Sequence, residues 1–295
     1  TIQAAIGSVS PMVNSLELSN ILYGLGRMGT PWYALSAESR RLLEEALRRV
    51  AWQMGPQAVA NALHGLSLTG ASLREIRGSA RAAVWEALER EAPYTNEQEL
   101  TSCLAALGRL DMSWSLTPAP VQDVLLDALR RTLPRTEALG LVMACSGLSQ
   151  MGVKLPALRE HSTESAPNPG ARAGASGRAK AGAVTLTLEQ SIASAASEVL
   201  STPETTLAEV NALLSALSSL GFSWGLLPDS LREMVLSRVQ RQMESALLGV
   251  NEPVFGTSPT AAPAAKNSVI AGGIAAGAGV GASFSVVGSG SGSGG

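Results

Sequence analysis

The sequence predicts an all-α protein, an α-solenoid of about five helix-turn-helix repeats, and three observations carry that prediction. The first is self-similarity. The segments NILYGLGRMG (20–29), NALHGLSLTG (61–70), SCLAALGRLD (102–111), MACSGLSQMG (143–152) and ALLSALSSLG (212–221) share a central leucine, at Leu25, Leu66, Leu107, Leu148 and Leu217. The first three intervals are each 41 residues and the last is 69, one period plus a surplus of 28. Recurrence at a fixed period of this length marks a repeat architecture. The second observation is a further run in each unit with apolar residues three and four apart: RRLLEEALRR (40–49), RAAVWEALER (81–90), QDVLLDALRR (122–131) and LREMVLSRVQRQ (231–242). That spacing places the apolar residues on one face of a helix. The third is that no segment reads as a strand. Helical pairs that bury their inner faces only against neighbouring pairs stack into a solenoid.

Taken in order, residues 1–15 read as an N-terminal lead-in and 16–160 as repeats one to three with the first part of repeat four. Each repeat opens with helix A. Its buried stripe is predicted at Leu18, Leu22, Leu25 and Met28 in the first repeat, and at the positions in register with them in the others. Pro56 suits the first turn of a helix A, and Thr95 with Gln98 forms a capping box before the third. Gly29, Gly70, Gly152 and Gly221 fall where helix A stops, and Asp111 takes that place in the third repeat. Glycine adopts the left-handed conformation that ends helices, and aspartate tolerates it. Seven residues past each central leucine stands a large apolar plug, Trp32, Leu73, Trp114, Leu155 or Trp224, before helix B begins. Columns flanking the leucine hold small residues, among them Gly24, Gly26, Gly65, Gly108 and Gly147, which predicts close approach of neighbouring helices.

Residues 161–187, rich in Ala, Gly and Ser, account for the surplus as a low-complexity insertion into repeat four. Residues 188–250 complete that repeat and form the fifth, and 251–295 make an Ala/Gly/Ser-rich tail. Insertion and tail are predicted to be disordered. The stretch 269–287 lacks charge, but ten of its 19 residues are Gly or Ala, so no stable membrane insertion is expected. Both ends of the array, 16–28 and 231–239, stay amphipathic without a polar cap, as in a section cut from a longer array.

Three further columns of helix A are polar or variable and share one face by steps of three and four. They supply the candidate ligand contacts Asn20, Tyr23 and Arg27 from repeat one, Asn61 and His64 from repeat two, Ser102 and Arg109 from repeat three, and Gln150 from repeat four. Amides, hydroxyls, aromatic rings and guanidinium groups in a ladder suit the bases and phosphates of single-stranded RNA. Residue types alone also fit a face that is polar because it is solvated. Arg48, Arg49, Arg90, Arg130 and Arg131 recur near the ends of helix B, placed either for phosphate or to complement the helix dipole and pair with Glu44, Glu45, Glu86 and Asp127.

The strings NILYGLGRMG from Asn20 to Gly29 and ANALHGL from Ala60 to Leu66 resemble the helix A signature of the octotricopeptide repeat proteins and their heptatricopeptide relatives. The resemblance covers about residues 16–248. It implies a helical-repeat array acting on RNA in a chloroplast or mitochondrion, as an adaptor in RNA metabolism, translation or ribosome assembly. A code of one base per repeat is not carried over, because the 41-residue period differs from that of those families. Only the position of the variable face is.

Charge and composition set the competing reading. Residues 1–160 hold 15 basic and 15 acidic groups, and the whole chain 22 and 24. Non-specific RNA affinity comes mainly from phosphate neutralisation. A neutral array therefore also fits an α-solenoid scaffold or structural accessory subunit, with a protein partner on its concave face. Nineteen of the basic residues are arginines, the side chain suited to bidentate phosphate contacts. Catalysis is not expected. None of the strings GxxxxGK[ST], HExxH, GxSxG or CxxC occurs, and no cofactor or metal is called for. Cys103 and Cys145 lie on apolar columns as core thiols, so His64 and Cys103 make a poor nucleophile pair.

Overall fold

A computed structural model of the chain describes residues 2–10, 12–154, 187–202 and 205–247, all within one compact unit, 1–249. Nearly all of the predicted insertion, 161–187, and all of the tail, 251–295, lie outside the described residues. So does the fourth plug, Leu155. The architecture is all-α, with eleven α-helices and no strand among the described residues. They are α1 (Ile2–Val9), α2 (Ser15–Arg27), α3 (Ala37–Val50), α4 (Pro56–Leu68), α5 (Gly78–Glu91), α6 (Glu97–Arg109), α7 (Ala119–Thr132), α8 (Ala138–Gln150), α9 (Leu188–Ser201), α10 (Leu207–Leu220) and α11 (Asp229–Leu247).

Two layers result. The A helices α2, α4, α6, α8 and α10 pack in sequence order, and the B helices α1, α3, α5, α7, α9 and α11 form the second layer. The central leucines are all buried between them. The lead-in is thus helical. Its α1 occupies the B position of a preceding unit, with Ile6 buried 41 residues before Leu47. Beyond the insertion, α9 supplies the B helix of repeat four.

Sequence chemistry at the boundaries explains the helix ends. Gly29, Gly70, Gly152 and Gly221 take φ of 64°, 69°, 84° and 102°, and Asp111 takes 55°. Pro56 opens α4. The capping box before α6 is displaced by one residue from the predicted Thr95–Gln98 pair: Glu99 N donates to Asn96 Oδ1 at 2.8 Å, and Asn96 N donates to Glu99 Oε2 at 2.9 Å. Thr95 is needed outside the helix, where its hydroxyl donates to Ala92 O at 2.8 Å.

Two positions of the predicted core are exposed, and Leu214 is half-buried. Met28 is 62% exposed because no described A helix packs before α2, whereas Thr69, Leu110 and Met151 in the same column are buried. Trp224 is 47% exposed because no described helix follows its unit, whereas the plugs Trp32 and Trp114 are buried.

Repeats join through two ladders of hydrogen bonds and one of small residues. Backbone N–H groups of Trp32, Leu73 and Trp114 donate to the carbonyls of Thr69, Leu110 and Met151 in the next repeat, at 2.8, 3.0 and 2.7 Å. These acceptors lie at the C-terminal ends of helices, where carbonyls have no partner within the helix. In the B layer, Arg49 donates to Ser10 O and Val13 O, Arg90 to Ala51 O and Met54 O, and Arg131 to Ala92 O and Thr95 O, all between 2.7 and 3.2 Å. Arg238 makes the same pair of contacts, to Thr202 O and Thr205 O.

The small-residue columns alternate. A Cβ on Gly65 would lie 2.4 Å from the backbone of α2, and one on Gly26 2.8 Å from Gly65 O. Gly147 and Gly108 repeat this between α8 and α6, at 2.3 and 2.8 Å. At the intervening junctions the same columns hold Ser67 with Ala106 and Ser149 with Ala216, whose Cβ atoms keep α4 from α6 and α8 from α10 at a wider separation.

Candidate nucleic-acid interface

The ladder face belongs to the A layer, and three of its residues meet. Tyr23 on α2 stacks on His64 of α4, with ring centroids 5.8 Å apart and planes inclined by 29°. Across the other junction, Arg109 on α6 reaches His64, its Nη2 lying 3.1 Å from Nδ1. One rung therefore draws on three successive repeats. Arg27, one turn beyond Tyr23 on α2, brings its charge to bear on the same imidazole.

Placement of the remaining candidates is mixed. Asn20, Arg27 and Gln150 are exposed and Asn61 is half-buried. Gln150 lies over the α6–α8 junction, its Oε1 2.8 Å from where a Cβ on Gly108 would be. Ser102, at 3% exposure, is enclosed between neighbouring helices and presents no surface to a ligand, which removes it from the predicted ladder. The same column is exposed at Asn20 and Ala212 and half-buried at Asn61 and Met143, so only the middle of the array encloses it.

Electrostatics follow from this packing. Burial pushes the His64 pKa down to about 4, and the Arg109 and Arg27 charges push the same way, so the ring is neutral at physiological pH. Burial also lowers the Arg109 pKa. Neither Arg27 nor Arg109 has a carboxylate within ion-pair distance among the described residues. The cluster is thus a local positive patch on a neutral array.

Other predicted groups have structural surroundings. Burial pushes both cysteine thiols up to about 12, which leaves them protonated and unreactive in the core. Arg130 pairs with Asp127 at 2.8 Å, as helix-surface pairing predicts. Arg49, Arg90 and Arg131 are instead the staples between B-layer units. That role was marked in the sequence only by their 41-residue register, since their acceptors are backbone carbonyls. No group of His, Cys, Asp or Glu among the described residues could hold a metal ion. A surface cavity of about 370 Å³ between α9 and the start of α11, lined by Ala193, Ser194, Ser197, Phe222, Leu226 and Pro228, lies apart from the ladder.

No helix among the described residues is long and apolar enough to cross a membrane. No protein-family model matches the chain, and no curated protein matches it.

Proposed function

We propose that this chain is a non-catalytic RNA-binding adaptor, a helical-repeat array whose A-layer face engages single-stranded RNA in organellar RNA metabolism, translation or ribosome assembly. The observation that carries the reading is the convergence of Tyr23, His64 and Arg109 from three successive repeats, with the Arg27 charge acting on the same ring and no carboxylate paired to either arginine among the described residues. Aromatic and guanidinium groups are what single-stranded RNA meets in its readers. The chloroplast or mitochondrial setting rests on the resemblance of repeats one and two to the octotricopeptide and heptatricopeptide families.

The test is binding of the chain to a random single-stranded RNA pool across a salt series, beside Arg27→Glu and Arg109→Glu. Retention that falls with salt and is lost in the variants is the expected result. No retention even at low salt would end this reading.

A protein-scaffold reading has its own observation. Leu236, Val239 and Met243 make an exposed stripe on α11, and Val239 is 43% exposed where Leu47, Leu88 and Leu129 in register are buried. Apolar patches of this kind mark protein contacts. Co-purification of a partner that is lost on Val239→Glu, with no RNA retained, would favour it.

A further inference from the structure

We propose that Arg27, His64 and Arg109 form one phosphate-binding site, a clamp made only of hydrogen-bond donors and built across repeats one to three. The proposal deepens the RNA reading and rests on it for the source of the phosphate.

The geometry fixes the chemistry of the imidazole. A guanidinium group has donors and no acceptor. Its contact of 3.1 Å with His64 Nδ1 therefore requires a lone pair on that nitrogen, and the ring hydrogen sits on Nε2. Tyr23, stacked on one face of the ring, holds its plane. Nε2 meets no group of the described residues and is not fully enclosed, which leaves it as an N–H donor without a partner among them. Arg109, which reaches the ring at Nδ1, is itself exposed and has further N–H groups, and the charge of the exposed Arg27 acts on the same ring. Every outward polar atom that these three side chains offer is a donor.

A nucleobase edge mixes donors with acceptors, and its amino groups would meet donors here. Phosphate oxygens only accept, and charge-assisted bonds to them are the stronger kind. The neighbouring repeats add no carboxylate that pairs with either arginine among the described residues, so the clamp is not neutralised from within. This rung thus anchors a backbone without reading sequence. Asn20, Asn61 and Gln150, whose amides both donate and accept, are left as the readers.

The test uses nitrogen-15 spectra of the whole chain, titrated separately with inorganic phosphate, dimethyl phosphate and an abasic phosphodiester oligomer. At neutral pH His64 should show a protonated Nε2 and a bare Nδ1, and the phosphate probes should shift Nε2 and the Arg109 side-chain signals. Arg109→Gln should mix the two tautomers and weaken binding of the abasic oligomer about tenfold at low salt. Arg27→Gln, at an exposed position that the fold does not use, should weaken it without altering the tautomer. A hydrogen on Nδ1, or no response to any phosphate probe while RNA still binds, overturns the clamp and leaves the RNA reading standing. A response to phosphate probes with no RNA retained supports the clamp and ends the RNA reading. A response to inorganic phosphate alone assigns the site to the free ion.

Discussion

Gly24 and Gly65 stand in the same column of successive A helices and have opposite consequences for stability. A Cβ on Gly65 would lie 2.4 Å from the backbone of α2, whereas one on Gly24 meets nothing within 4 Å. Gly65→Ala should therefore force α2 and α4 apart and destabilise by about 2 kcal/mol or more. Gly24→Ala should stabilise by about 0.5–1 kcal/mol through helix propensity alone. Urea midpoints that moved in the same direction for both would refute the close-packing account. His64 gives a pH signature. Its folded pKa, about 4, lies below the ordinary 6.5, so the unfolded chain binds the proton more readily within that window. Stability from this group is complete above about pH 6.5 and falls as pH drops towards 4, by at most ~3 kcal/mol. The groups facing the ring are Tyr23 and Arg27 of α2 and Arg109 of α6. Denaturation of the protein and of His64→Asn at pH 7.5 and 4.5 isolates the effect: the loss between the two should be smaller in the variant, and parallel losses would rule the account out. His64 was legible in the sequence as a member of a face. Its neutrality was not, because burial by two flanking repeats is set by helix separation.

At the scale of elements, stability is placed at the joints between units. Arg131 Nη2 lies 3.2 Å from Ala92 O, which also accepts from the Thr95 hydroxyl, and 2.7 Å from Thr95 O. Arg131→Leu should cost about 1–3 kcal/mol, seen as a lower denaturant midpoint, and an unchanged midpoint would make the staple ornamental. Asp111, at φ of 55°, holds a conformation that glycine adopts without strain. Asp111→Gly should stabilise by up to about 1 kcal/mol despite loss of the exposed Arg74 pair at 3.5 Å, and a fall in melting temperature would refute this. Helix A was readable because its leucine, its glycine stop and its plug recur together. The lead-in helix α1 was not, since eight residues are too few for a periodic signal, although Ala5 and Ile6 stand 41 residues before Ala46 and Leu47. The sequence places the box before α6 one residue early because Thr95 and Asn96 are both good caps, and they are separated by long-range packing, in which the Thr95 hydroxyl bonds Ala92 O and its carbonyl accepts from Arg131.

For the whole molecule, the alternation of close and wider junctions predicts where the array opens. Hydrogen exchange under native conditions should show α2 with α4 and α6 with α8 as the most protected pairs, with exchange rising at the α4–α6 and α8–α10 junctions. Uniform protection along the A layer would mean that the alternation has no energetic effect. The repeat architecture was legible from the period alone. The ligand face was legible only in outline, because summed charge is neutral while packing brings Arg109 onto His64 and the charge of Arg27 to bear on the same ring.

The glycine junctions also define a longer repeat. Gly26 and Gly108, Gly65 and Gly147, Trp32 and Trp114, Arg27 and Arg109, and the capping asparagines Asn14 and Asn96 are each 82 residues apart, twice the apparent period of 41. The seams thus repeat in units of two hairpins, and deleting the second repeat would set Gly26 against Ala106, a seam shaped for neither.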